Sequence, residues 1–199
     1  MEKPLTGYLT RSLIARIAPL ISEGGVAVLP TDTIYGFHCS ASRPEAIELI
    51  RKLKGRGDRS CFIVLASDID MADSLIERWP GGSRKILEQI WPAPLTAILP
   101  ASGTIPQILA PRGTLAVRVP DFKELRELIK KAGAPLVSTS VNVSGKKPLT
   151  RIGEIRKSFA GLAAYASRRG RSRQSPSTVV DFTADPARIL RAGAYRWRL

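Results

Sequence analysis

The stretch VAVLPTDTIYGF, residues 26–37, leaves an apolar segment through small polar side chains, and SRPEAIELIRKLK, residues 42–54, follows it closely. Val26 to Leu29 reads as a short buried strand that ends at Pro30, since proline has no amide hydrogen for a ladder. Residues 42–54 read as a helix, with Ser42 as N-cap, Pro44 in the first turn and Glu45 closing a capping box. The resulting order is strand, polar loop, helix.

Working outward, the same alternation recurs. Leu13, Ile14, Ile17, Leu20 and Ile21 lie at helical spacing, with Thr10 as cap, Gly24-Gly25 as stop and Pro19 expected to kink or shorten the helix. Strands are expected at 61–66, 95–101, 114–120, 135–142, 177–182 and 188–193, and helices at 68–79, 81–90 and from Asp121, where D-x-x-E opens and Gly133 closes. Interleaved strands and helices predict one α/β domain over residues 1–199, a sheet with helices packed on it and some antiparallel pairing near the end. The Arg/Ser-rich segment SRRGRSRQSPS, residues 167–177, is expected to be a mobile surface loop.

A chain of 199 residues with 44% hydrophobic side chains can bury a core without staples. Its charge is the unusual feature: 31 Lys and Arg against 17 Asp and Glu give +14 at pH 7. Residues 151–199 carry 11 basic and 3 acidic side chains, against 20 and 14 in residues 1–150. That excess points to an anionic substrate or a polyanionic partner, a solvated basic surface being the plain alternative. Cys39 and Cys61 lack metal-ligand spacing and His38 is the single histidine, so neither a zinc site nor a disulfide framework is expected, and no metal ligands are assigned. With no apolar leader and no run of 18 apolar residues, the chain reads as soluble and cytoplasmic, without a membrane partner.

Neither G-x-x-x-x-G-K-[ST] nor G-x-G-x-x-G occurs, so any nucleotide is held by other means. Lys54 and Arg56 stand two apart around a glycine and, in extended backbone, would aim at one spot suited to phosphate, a solvated basic cluster with Arg51, Lys52 and Arg59 being the plain alternative and, on these residues alone, the favoured one. Ser138, Ser140 and Asn142 alternate along a strand exit and offer neutral hydrogen bonds. Arg118 lies inside an apolar strand and needs either an internal acid or a ligand carboxylate. A Ser-His-Asp set is hard to build with one histidine. Chemistry by positioning and charge stabilisation, as in phosphoryl or nucleotidyl transfer, remains.

Taken together, PTDTIYG, KGR, WPAPLT, VRVP, STSVNVSG and STVVDF...ILRAG closely resemble the YrdC-like family of threonylcarbamoyl-AMP synthases over about residues 8–193. The resemblance implies an open twisted α/β sheet with a basic concave face in a short, single-domain form. It implies condensation of L-threonine, bicarbonate and ATP with Mg2+ into threonylcarbamoyl-adenylate and pyrophosphate. A partner enzyme would then transfer the group to the adenosine beside the anticodon of tRNA. On this resemblance Lys54, Arg56, Ser140 and Asn142 form the catalytic set and contact ATP, joined by Ser60, Thr114 and Arg191. Threonine falls to Thr31 or Thr33, Tyr35, Arg118 and Ser138, with Arg118 on its carboxylate and Asp32 structural.

The chain departs from the family pattern at Gly57, Ser60 and Cys61, which replace Pro, Lys and Pro, at Ala93, and at Leu65, where longer relatives often have histidine. Two other readings stand beside the enzyme: a paralogue of the same fold with altered activity, and an RNA-binding module. The latter would take tRNA or double-stranded RNA through the basic concavity and the Arg-rich loop, although only 6% of the chain is aromatic.

Overall fold

The computed structural model describes residues 3–55, 62–169 and 175–197. The strands are β1 (Leu5–Tyr8), β2 (Ala27–Leu29), β3 (Gly36–Ser40), β4 (Ile63–Leu65), β5 (Leu95–Pro100), β6 (Thr114–Arg118), β7 (Leu136–Ser140), β8 (Ala164–Ser167), β9 (Thr178–Asp181) and β10 (Arg188–Arg191). They form one sheet in the order β1-β8-β2-β3-β7-β4-β6-β5-β9-β10. Pairing is mixed: β2, β3, β7 and β4 run successively antiparallel, whereas β4 and β6 are parallel, as are β5 and β9. The helices are α1 (Arg11–Ser22), α2 (Pro44–Leu53), α3 (Ile69–Asp73), α4 (Ser83–Ile90), α5 (Lys123–Ala132) and α6 (Ile152–Ser158). The α/β mixed sheet expected from the sequence is the fold.

Side-chain alternation along the strands divides the core in two. On one face Phe37, Cys39, Val64, Val117, Val137 and Val180 pack with Ile47 and Ile50 of α2 and Ile155 of α6. Phe37 meets Phe159 edge to face with centroids 4.9 Å apart, and burying a ring of this kind is worth roughly 1.5–3 kcal/mol. On the other face α1 and α5 lie against Leu29, Leu65, Leu136 and Ala164. These two helices cover only part of that face. Leu136 of β7 lies beneath them, while Ser138 and Ser140, two and four residues on, line an open cleft; on antiparallel β4 Leu65 is covered and Ile63 is open.

Several local expectations change. α1 is capped by Thr10, whose Oγ1 accepts from Leu13 N, but it continues through Pro19 to Ser22, because Ile17 and Ile21 are fully buried in the α1–α5 layer. α2 begins after Arg43 with Pro44 in its first turn, and neither Ser42 nor Glu45 forms the expected box. α5 begins after Phe122, not Asp121, although Gly133 closes it in a left-handed conformation at φ 70°. The expected helix at 68–79 is only α3. Strands β1, β3 and β8 and helix α6 had no sequence-based expectation. Of residues 167–177, Ser167 ends β8 and Ser177 is buried against Thr96, while 170–174 lie outside the described residues. Cys39 is fully buried and burial pushes its thiol up to about 12, the character of a core-filling side chain. No helix among the described residues is long and apolar enough to cross a membrane.

Candidate active site

The uncovered ends of β3, β7 and β4, the loop from Thr31 to Tyr35 and the chain around Ser177 and Arg191 enclose a cleft of about 370 Å³. That volume suits a small-molecule site. β3 and β7 supply its floor, where Gly36 faces Ser140 and His38 faces Ser138 in register. Gly36 is required by space: a Cβ there would stand 2.8 Å from His38 Cε1 and 3.0 Å from the Thr139 carbonyl.

Lys54 closes one end. Its backbone at the end of α2 is helical (φ −82°, ψ −9°), so the extended geometry expected for the 54/56 pair does not hold at this residue. Its buried Nζ donates to Ser140 O and Asn142 Oδ1, each at 3.0 Å, and to Asn142 O at 3.4 Å, while Ser144 N donates back to Lys54 O at 2.7 Å. Ser140 Oγ donates to Asn142 Oδ1 at 2.5 Å, and Asn142 Nδ2 donates to Val143 O and Lys146 O. These bonds fix the chain leaving β7 against the end of α2 and hold one ammonium charge where the cleft begins.

At the other end Thr31 donates to Ile34 O at 2.8 Å, so the Thr33 hydroxyl, 2.9 Å away, is the donor to Thr31 Oγ1. Arg118 reaches Thr33 Oγ1 at 3.5 Å and Asp32 Oδ1 at 3.4 Å, and its Nε has no hydrogen-bond partner. Asp32 Oδ2 also accepts from Asp121 N. Both contacts of the guanidinium are long, leaving it donor capacity for a ligand carboxylate. Tyr35 also lines the cleft, and burial raises its phenol above the usual value although Arg168 opposes this. Arg191 donates to Ser177 O at 2.9 Å and Oγ at 3.1 Å, and desolvation with the nearby Arg118 charge lowers its pKa.

Of the residues singled out in the sequence, Thr31, Thr33, Tyr35, Lys54, Arg118, Ser138, Ser140, Asn142 and Arg191 come together in this one cleft. Thr114, at the start of β6 opposite Pro100, is not among its lining residues. Arg56 and Ser60 lie outside the described residues, as do Gly57 and Cys61. Three supporting residues had no role expected in this cleft: Ser177, which anchors Arg191; His38, bonded to Ser138; and Arg168 of the Arg-rich loop, whose Nη1 donates to Thr31 O at 3.0 Å. Asp32, expected to be structural, pairs with Arg118, whose place inside an apolar strand called for either an internal acid or a ligand carboxylate.

Residues 19–193 match the model of the Sua5/YciO/YrdC family, whose description is telomere recombination. The chain is 38% identical over 149 residues to a Nitrosococcus oceani protein named threonylcarbamoyl-AMP synthase, covering 74% of this chain and 80% of that one. A Chromobacterium violaceum protein of the same name is 32% identical over 189 residues, covering 94% and 97%. The fold superposes with a TM-score of 0.88 on P. abyssi Sua5 complexed with L-threonine, at 28% identity, covering 96% of this chain and 58% of that one. Against two further curated relatives the chain spans about half their length, 44% and 52%.

Proposed function

The chain belongs to the Sua5/YciO/YrdC family, and from that premise we propose that it is a threonylcarbamoyl-AMP synthase, a nucleotidyltransferase. The substrates are L-threonine, bicarbonate and ATP. The threonine nitrogen bonds to the bicarbonate carbon with loss of water, and a resulting carbamate oxygen attacks the α-phosphorus of ATP. The bond from that phosphorus to the bridging oxygen breaks, and pyrophosphate leaves. The observation that carries the reading is one cleft with Arg118 and two threonine hydroxyls at one end and Lys54 with Ser140 and Asn142 at the other.

In this reading Arg118 holds the threonine carboxylate, Thr31 or Thr33 with Tyr35 and Ser138 shape the pocket around the rest of the amino acid, and Lys54 with Arg56 offsets charge on the phosphates as pyrophosphate departs. Arg191 and Ser60 complete the nucleotide contacts, whereas Thr114, outside the cleft lining, takes no part in this reading. Among the described residues no three His, Cys, Asp or Glu side chains come together to hold a metal. In this reading magnesium enters with the substrate, carried on the ATP phosphates. The product is handed to a transfer enzyme that modifies tRNA, in the cytoplasm. ATP–pyrophosphate exchange that requires both threonine and bicarbonate tests the proposal. Absence of exchange with magnesium present, together with an Arg56→Ala variant indistinguishable from wild type, overturns it in favour of an altered paralogue.

RNA binding is a second reading, and a separate cavity of about 620 Å³ favours it. Arg11, Lys123, Arg168 and Arg169 line this cavity together with Glu124 and Glu127. None of the four cations has a carboxylate within ion-pair distance among the described residues, and Arg168 and Arg169 lie over the rings of Phe122 and Tyr8. Tyr8 is 53% exposed, a surface on which a base can stack. Replacing Arg11, Lys123 and Arg169 with serine should weaken tRNA binding and flatten its salt dependence by about 1 per lost phosphate contact. An unchanged slope removes this reading.

A further inference from the structure

Arg168 is the first residue past β8, at the start of the Arg/Ser-rich segment, and it has no part in the synthase chemistry above. β8 runs parallel to β2, with Ala164 opposite Ala27 and Tyr165 opposite Val28. Carried three residues further, this register sets Arg168 beside Thr31, where the chain has left β2 for the loop that bounds the amino-acid end of the cleft. The side chain uses that placement: its Nη1 donates to the Thr31 carbonyl at 3.0 Å.

Residues 31–35 belong to no strand, so individual bonds set the shape of this loop. Within it Thr31 Oγ1 donates to Ile34 O and accepts from Thr33 N at 3.0 Å. Asp32 ties the loop to the start of α5 through Asp121 N, and Arg168 ties Thr31 to the end of β8. Arg168 is itself fixed, because its guanidinium carbon lies 4.9 Å from the centroid of the Phe122 ring. A guanidinium keeps its donors in one plane, so its seat over that ring aims Nη1. Burial raises the Tyr35 phenol, and the backbone and charge of Arg168 oppose that rise, so the same residue acts on the far end of the loop. Arg168 lines the second cavity and not the cleft, so its contact with the amino-acid end runs through the loop.

We propose that Arg168 is a positioning residue for the amino-acid substrate: by holding the Thr31 carbonyl from outside the cleft, it fixes where the Thr31 and Thr33 hydroxyls and Tyr35 meet threonine. The Thr31 side chain is bonded to both Thr33 and Ile34, so a shift of the Thr31 backbone is passed along the whole turn. This rests on the reading of the cleft as an amino-acid site and ties the geometry of that site to the segment after β8.

Threonine binding, read by calorimetry without turnover, tests it. Arg168→Met keeps an apolar stem over Phe122 and loses the donor, so affinity for threonine should fall about 10-fold, the worth of one hydrogen bond to a charged group. Arg168→Lys keeps the charge and a donor without the planar fork, and should fall between Arg168→Met and wild type. In turnover assays both variants should raise KM for threonine and leave KM for ATP unchanged, because the loop bounds the amino-acid end; a matching rise in KM for ATP overturns the inference. Melting curves mark the temperatures at which each variant is folded. Earlier melting with wild-type threonine affinity in folded Arg168→Met makes Arg168 structural alone and overturns it. Should Arg168→Met not fold, Arg168→Lys carries the test, and wild-type threonine affinity in that variant overturns it. A loss that disappears at about 0.5 M salt is a screened, long-range charge effect and likewise overturns it. Wild-type protein that binds no threonine overturns the synthase reading instead.

Discussion

Asp32 Oδ1 lies 3.4 Å from Arg118 Nη2, and both side chains are 3% exposed. The pair brings the loop after β2 to the end of β6, and the second Asp32 oxygen ties the same loop to Asp121 N. Removing one partner of a buried pair strands the other charge, which costs about 3–5 kcal/mol. Asp32→Ala should therefore lower unfolding stability by that amount in urea titrations. Asp32→Asn should lose less, because its amide oxygen can still accept from Asp121. If Asp32→Ala unfolds at the wild-type midpoint, the pair does not hold the loop.

Lys54 makes a different kind of contact, since the partners identified for its ammonium are neutral oxygens of Ser140 and Asn142. These bonds hold the ammonium at the start of the cleft, a placement that suits a group stabilising negative charge that develops on phosphate. Lys54→Met should reduce adenylate formation by about 10²- to 10³-fold, the scale for loss of one preorganised electrostatic contact. It should also lower the melting temperature, because the chain from Ser140 to Asn142 loses its anchor. A variant that melts earlier yet keeps full turnover would assign Lys54 to structure alone.

The polar residues at 31, 33 and 35 and at 138, 140 and 142 were readable as candidates, and all six line the cleft. Only Ser138 and Ser140 do so by a strand's period; 31–35 form a loop folded by the bond from Thr31 Oγ1 to Ile34 O, and Asn142 lies past the end of β7. Strand β3 was not readable: Gly-Phe-His-Cys-Ser has little local strand character and becomes a strand because β2 and β7 pair with it on either side. β1 and β8 form a parallel pair joined across more than 150 residues, a relation that no window of sequence contains. Capping signals misled for a related reason. Ser42 N donates to Ser40 Oγ and Asp121 N donates to Asp32, so neighbouring loops claim the residues that local motifs assign to helix starts.

The burial of His38 has a consequence for acid stability. Its pKa is lowered in the folded protein from 6.5 to about 3, so between these values the unfolded chain binds the proton and the folded one does not. Stability contributed by the neutral ring is complete above pH 6.5 and is lost as pH falls towards 3, at up to about 1.4 kcal/mol per pH unit. Carboxylates titrate in the lower part of this window, so the informative quantity is the difference between wild type and His38→Gln. That difference should move against the wild type as pH drops from 6.5 to 4.5; a difference independent of pH would mean that the ring accepts a proton without unfolding.

Gly36 ends the motif with which the polar loop begins its return into the sheet. Its backbone is not in the left-handed region, so the demand for glycine is one of space alone. An alanine Cβ would lie 2.8 Å from His38 Cε1, 3.0 Å from Thr139 O and 3.2 Å from Ser138 Oγ, and the first two are a buried ring and backbone with little freedom to retreat. Gly36→Ala should cost about 1–3 kcal/mol through overpacking and should also displace the Ser138 hydroxyl from the cleft. Threonine affinity should then fall by more than the loss of stability explains at temperatures where the variant is fully folded. If the variant retains wild-type affinity for threonine while melting earlier, the floor of the cleft between Gly36 and Ser138 lies outside the amino-acid site.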